Sequence, residues 1–300
     1  MSNNSSAIII EPVSQRATGT LFASLGVLAF SFSLPGTALA LEGFGPWSST
    51  GLRGVLAAVL AIVALGATRS KLPSGDQWAP LAVVALGCGL GFPLLTALAL
   101  ETSSTAHSAV VIGALPMATA VISTLRTRRY PSLLFWVAGG AGAVIVIAFA
   151  LAQNHGLPTL GDLFLFGALI LCAAGYAEGG SLSARMPGWK VIAWGVVLSL
   201  PVNLLVVAVA LPQEPIHFSG RAIFGLLYIA AISQFGGFAV WYKGMSMIGV
   251  SKASQIQLAQ PLLTLIWAAL FLGEHFTLAV PLTAVLVLAC IVVTQRTKDA

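Results

Sequence analysis

The sequence predicts an all-α integral membrane protein of ten transmembrane helices, built as two inverted five-helix repeats with both termini in the cytoplasm. Three observations carry that expectation: the composition, a series of apolar runs of spanning length, and a one-sided distribution of basic residues. Hydrophobic side chains make up 58% of the 300 residues and charged ones 8%, with a mean hydropathy of +0.96. A soluble domain carries roughly 25% Asp, Glu, Lys and Arg to keep its surface hydrated. A globule of this composition would expose large apolar patches. Disorder is excluded for the opposite reason, because so much apolar surface seeks burial.

A transmembrane helix needs about 20 mainly apolar residues to cross roughly 30 Å of hydrocarbon. Ten such runs fall at about 19–41, 47–68, 78–100, 104–125, 132–152, 162–183, 190–211, 222–242, 253–272 and 277–295. Charged or Pro-rich punctuation separates them, as in Arg69-Ser-Lys-Leu-Pro and Arg126-Thr-Arg-Arg-Tyr-Pro. Alternating segments of about ten residues are missing, so an outer-membrane barrel is not expected. The organisation is then a cytoplasmic tail at 1–18, a first repeat at 19–152, an extracytoplasmic linker at 153–161, a second repeat at 162–295 and a short cytoplasmic tail at 296–300. The polar first tail lacks the basic start of a cleavable signal peptide.

The 14 Lys and Arg against 9 Asp and Glu give a formal net charge of +5. In a membrane chain this reflects basic cytoplasmic loops, and no nucleic-acid partner is expected. With the N-terminus inside, the cytoplasmic segments hold Arg16, Arg69, Lys71, Arg126, Arg128, Arg129, Arg185, Lys190, Lys243, Lys252, Arg296 and Lys298. The outer loops hold only Arg221, and Arg53 lies within the second run. One span missed or invented would scramble that pattern. Cys88, Cys172 and Cys290 are far apart in apolar runs and read as packing residues, not a disulfide framework or metal site.

The two halves resemble each other. Ala114-Leu-Pro-Met-Ala-Thr-Ala-Val-Ile-Ser-Thr-Leu matches Ala259-Gln-Pro-Leu-Leu-Thr-Leu-Ile-Trp-Ala-Ala-Leu, with Pro116 on Pro261 and Thr119 on Thr264 at an offset of 145. The openings Gly19-Thr-Leu-Phe and Gly161-Asp-Leu-Phe match at an offset of 142. Five spans per half is an odd number, so the second half is expected upside down; Arg129 then aligns on Glu274 with the first inside and the second outside. Inverted repeats are a common build of secondary transporters, with substrate held near the midplane where the halves meet.

The second half carries Ala259-Gln-Pro-Leu-Leu-Thr-Leu-Ile-Trp-Ala-Ala-Leu-Phe-Leu-Gly-Glu after a small-residue entry, Gly249-Val-Ser-Lys-Ala-Ser. The first carries Leu52-Arg-Gly-Val-Leu-Ala-Ala-Val-Leu. Over about 19–295 the chain resembles the EamA-type members of the drug/metabolite transporter superfamily. It departs from them where Leu125-Arg-Thr-Arg-Arg replaces a first Leu-Gly-Glu, and where the first span reads Ala29-Phe-Ser-Phe-Ser-Leu-Pro without a tryptophan. The resemblance implies transport of small metabolites by alternating access, often export of amino acids or related compounds, with no cofactor. Independently, no G-x-x-x-x-G-K-S/T phosphate loop occurs.

Ionisable groups inside a membrane are functional candidates because burying their charge is costly. At about 1.5 Å per residue, Glu178 lies roughly 24 Å from the outer start of its span. It either binds a substrate amine or coupling proton, or reaches cytoplasmic water. Arg53, about 9 Å into its span, either grips a substrate carboxylate bidentately or snorkels and pairs with a loop acid such as Glu42. His107 reads as structural. Gln234 falls about 18 Å and Gln260 about 11 Å into their spans. Gln257, Gln260 and Thr264 share one helix face. Lipid cannot satisfy an amide, so these face protein or a cavity, as substrate ligands or as interhelical glue. Pro116 and Pro261 each remove a helix hydrogen bond, and paired interruptions mark transporter sites. Phe32 and Tyr176 are candidates to line the pathway, whereas Trp47, Trp78, Trp136, Trp241 and Tyr242 are expected in the interfacial aromatic belts. The glycines of Gly87-Cys-Gly-Leu-Gly and Gly139-Gly-Ala-Gly permit close helix packing.

The expected activity is a secondary transporter exporting a small polar metabolite, amino acids first, with possible coupling to protons. Drugs, nucleosides or polyamines are alternative cargoes, and a non-transporting sensor or assembly subunit is the alternative of another class. An enzyme is not expected: His107, His155, His217 and His275 all fall at or beyond the outer boundary, and no H-E-x-x-H occurs. The expected partners are a small-molecule substrate and the lipid bilayer of an inner or plasma membrane, with the chain a monomer or homodimer.

Overall fold

The computed structural model describes residues 13–127, 132–153, 157–248, 253 and 256–296. Arg128, Arg129, His155, Lys252 and Lys298 lie outside these, as do the Arg129–Glu274 alignment and most of the Gly249–Ser254 entry. Among the described residues all regular structure is helical: α1 Val13–Ser31, α2 Ser33–Leu41, α3 Pro46–Ala67, α4 Trp78–Val84, α5 Phe92–Leu100, α6 Thr105–Ile112, α7 Leu115–Thr127, α8 Leu133–Gln153, α9 Leu160–Leu182, α10 Gly188–Ala210, α11 Gly220–Leu227, α12 Phe238–Ile248, α13 Gln260–Leu272 and α14 Ala279–Arg296. Two π-helical segments, Ala85–Gly91 and Tyr228–Gly237, join α4 to α5 and α11 to α12 into continuous rods.

Seven helices, counting α1–α2, α6–α7 and the two π-containing rods as one each, are long and apolar enough to cross a membrane. Three more expected spans correspond to shorter apolar stretches among the described residues, Trp136–Phe149, Gln260–Leu272 and Ala279–Cys290. The run at 253–272 is shortened because a turn at Leu258 and Ala259 interrupts it just before Pro261. Polarity is arranged for a lipid solvent. Val63, Leu205 and Leu270 point outwards, each more than 60% exposed, while Arg53, Asn203, Ser233 and Gln234 are buried.

Every major helix packs against one from the other half of the chain: α3 along α10, α1 along α12, α5 along α9, α6 against α13, and α8 along α14. Small residues allow the approach, as expected where van der Waals packing drives association. A methyl group at Gly54 would overlap the Asn203 side chain, and one at Gly87 the Leu171 carbonyl.

Trp241 and Tyr242 do not join an interfacial belt: both are fully buried. The helix carrying them runs on to Ile248 and turns them inwards, with Tyr242 against Gly188 at the start of α10. There Trp241 lies against Gly26 of α1, and Phe30 meets Phe238 edge-on at 4.8 Å between centroids. Trp47 and Trp136 are exposed, as a belt position requires.

Candidate functional site

The helix interruptions follow from proline. Proline has no N–H for the carbonyl four residues earlier, and a bare carbonyl in a dry interior must find another donor. Pro35 leaves the Ser31 carbonyl unpaired, the helix breaks at Phe32, and Thr264 Oγ1 donates to that carbonyl at 2.7 Å. Trp267 Nε1 donates to Ser31 Oγ at 2.9 Å, which ties the same break to α13. Pro93 likewise leaves the Gly89 carbonyl in the first π segment, and Gln234 Nε2 of the second π segment donates to it at 3.1 Å.

Pro116 and Pro261 each occupy the second position of a restarted helix, where a missing N–H costs little. The breaks precede them, at Gly113-Ala114 and Leu258-Ala259, and share one geometry. Ala114 N donates to Val111 O, and Ala259 N to Ile256 O, both three residues back and both at 3.1 Å. The offset is again 145. The two breaks face each other, since a methyl group at Gly113 would sit 3.1 Å from the Pro261 ring. Pro116, Pro261, Gln257, Gln260 and Thr264 line the crevice between them.

Beside this crevice lies an enclosed cavity of about 20 Å³, room for about one water molecule. Arg53, Ser33, Ser233, Tyr176 and Gln260 supply its polar lining, with Phe30, Cys88 and Cys172 among the apolar walls. Ser33 Oγ and Ser233 Oγ share a hydrogen bond of 2.6 Å. Arg53 is 3% exposed; its Nη2 donates to Ser233 Oγ over a long 3.5 Å, and its Nε is buried with no acceptor. Gln257 Nε2, Gln260 Oε1 and Gln234 Oε1 are likewise buried and unpartnered, a state that costs about 1–3 kcal/mol per group unless water or a ligand completes it.

Of the expected site residues, Arg53, Tyr176, Gln257, Gln260, Pro116 and Pro261 therefore come together at the cavity and its crevice, whereas Gln234, next to Ser233 in the chain, lines neither and bonds to Gly89. Arg53 neither snorkels nor pairs with Glu42, which binds Arg221 at 2.9 Å. Glu178 lies apart, held at 2.8 Å by Arg126. Phe32 turns away into an aromatic cluster with Tyr228 at 4.9 Å and Phe271 at 5.1 Å. Sequence reasoning missed Ser33 and Ser233, which no motif marks, and both π segments, reading the glycines of the first only as packing residues. His107 is buried against Asp162, Nε2 to Oδ1 2.7 Å, and stacks on Phe149. Among the described residues no cluster of three His, Cys, Asp or Glu is placed to hold a metal ion.

Contacts between the halves close the structure at both ends of the bundle. At one end, the carboxylate of Glu214 accepts from Trp47 N and Ser48 N, and that of Glu274 from Thr105 N and Ala106 N. Each caps the first turn of a helix from the other half, where a negative charge is favoured. At the other end stand the ion pairs Arg126–Glu178 and Asp76–Arg185, both 2.8 Å.

The family model of the EamA-like transporter family matches the chain twice, at residues 17–152 and 159–295. The uncharacterized transporter YdeK of Bacillus subtilis (strain 168) is 38% identical over 284 residues, covering 95% of this chain and 99% of that one. The uncharacterized inner membrane transporter YicL of Salmonella typhimurium is 29% identical over 203 residues, 65% of each chain. A solved crystal structure overlays with a TM-score of 0.65, covering 93% of this chain and 98% of the other, at 17% identity, which is a likeness of fold. The chain is thus a multi-pass membrane protein that belongs to the EamA-like transporter family.

Proposed function

We propose that the protein is a secondary transporter that exports a small polar metabolite, an amino acid or a related compound, by alternating access. In this reading ten spans form two inverted repeats, 19–152 and 162–295, with both termini in the cytoplasm. Substrate occupies the cavity among Arg53, Tyr176 and Gln260 and the adjoining crevice lined by Gln257. The observation that carries the reading is the pairing of helix breaks, Gly113-Ala114 with Leu258-Ala259, at the edge of a closed polar cavity between the halves. Paired interruptions beside a repeat interface are what a rocking carrier needs around its site.

The cavity holds about one water in this state, so the halves must part for a metabolite to enter. The tethers at the two ends are then broken alternately, Glu214 and Glu274 at one face, Arg126–Glu178 and Asp76–Arg185 at the other. The test is counterflow in proteoliposomes loaded with a mixed metabolite pool and offered labelled compounds outside. Saturable exchange of one class supports the carrier. Absence of saturable exchange for every class would overturn it in favour of a non-transporting membrane component.

A further inference from the structure

Arg53 is a buried cation with no anion to answer it. Among the described residues every carboxylate is engaged elsewhere or exposed: Glu42 on Arg221, Asp76 on Arg185, Glu178 on Arg126, Asp162 on His107. Glu214 and Glu274 cap helix N-termini, and Glu101 faces outwards. The guanidinium has five donors in a planar fork, and its only hydrogen bond among the described residues is the long one to Ser233. A structural arginine in a dry interior is normally saturated by carbonyls or an acid, because burying an uncompensated charge is costly. The remaining polar atoms of the cavity are hydroxyls and one amide, with the oxygen of Gln260 free to accept.

We propose that this site selects small carboxylates of net negative charge, whose other polar groups are neutral hydrogen-bond donors. Hydroxy acids and N-acyl amino acids have that chemistry. The carboxylate docks on the Arg53 fork, with the Ser33 and Ser233 hydroxyls as further donors; a substrate hydroxyl or amide N–H donates to Gln260. A free ammonium group would share the cavity with a guanidinium and find no acid, which disfavours zwitterionic amino acids and polyamines. The proposal rests on the reading of the chain as a carrier and, within its substrate class, replaces free amino acids by related acids that lack the ammonium group.

The test is counterflow in proteoliposomes with three labelled probes of similar size: lactate or N-acetylglycine, serine, and putrescine. The expected result is saturable exchange of the carboxylates, at least tenfold faster than of serine or putrescine. Arg53→Gln should lower it at least tenfold, and Arg53→Lys, which keeps the charge and loses the fork, should fall in between. In parallel, lactate but not lactamide should raise the unfolding temperature of the wild-type protein in detergent, a readout independent of any variant's folding. Exchange of serine or putrescine with the carboxylates inert would overturn the substrate class and leave the carrier standing. No exchange of any probe, with no thermal shift, would overturn the substrate class, and the mixed-pool counterflow described above then decides the carrier reading separately.

Discussion

The two halves of the chain share a scaffold and differ in chemistry. Their irregularities recur at a nearly constant offset: the turns at Gly113-Ala114 and Leu258-Ala259, and the π segments Ala85–Gly91 and Tyr228–Gly237. Thr119 recurs as Thr264, but the guanidinium and the amides do not recur. At the 145-residue offset, Gln257 answers to Ile112, Gln260 to Leu115 and Gln234 to Gly89, while Arg53 answers to Leu198. On the proposed alternating-access mechanism, the breaks are where the halves would flex, and a rocking pair needs them on both sides. Recognition of a small asymmetric molecule needs the opposite, a guanidinium from one half and amides from the other. The second π segment even serves the first directly, since Gln234 completes the carbonyl that Pro93 leaves bare.

Making the chemistry symmetric is the strongest way to break that comparison. Replacing Gln257 by Ile and Gln260 by Leu copies the first half onto the second. Subsaturating flux should fall about 5- to 150-fold, corresponding to two neutral hydrogen bonds at about 0.5–1.5 kcal/mol each. An unchanged rate would place the substrate elsewhere. The scaffold is tested by Gly54→Leu, which forces a side chain into Asn203. It should destabilise the protein by about 1–3 kcal/mol, read as a lower unfolding temperature. Gly66→Leu on the same helix has nothing within 4 Å of its new Cβ and serves as the control. Smallest is Glu178→Gln, which breaks a partly exposed tether to Arg126. The effect on stability should be about 0.2–1 kcal/mol, with the concentration of substrate giving half-maximal flux unchanged. A large change in that concentration would move Glu178 into the binding site.

Much of the scaffold is legible in the sequence because hydropathy and proline report directly on backbone burial and missing donors. The helix ends at Leu41, Ala67, Leu100 and Leu182 fall within about a residue of the expected edges. Tertiary pairing is less legible. Arg53 looked able to reach Glu42, yet Glu42 belongs to Arg221, and depth along a helix says nothing of which face the guanidinium takes. Trp241 and Tyr242 were expected at an interface because the span was ended too early; the ten-residue π segment lies in a rod that runs on to Ile248. Ser33 and Ser233 are 200 positions apart and gain significance only when α2 meets the second π segment.

The most direct test of the account uses Cys88 and Cys172, which line the closed cavity from opposite halves and are each 2% exposed. In a Cys290→Ser background, a small anionic methanethiosulfonate reagent that does not cross lipid is applied to right-side-out and to inside-out vesicles. The account predicts that these cysteines are labelled from both faces as the halves part alternately, and faster by the anionic reagent than by its cationic analogue because of Arg53. Labelling from one face only, or from neither until the protein is denatured, would contradict it.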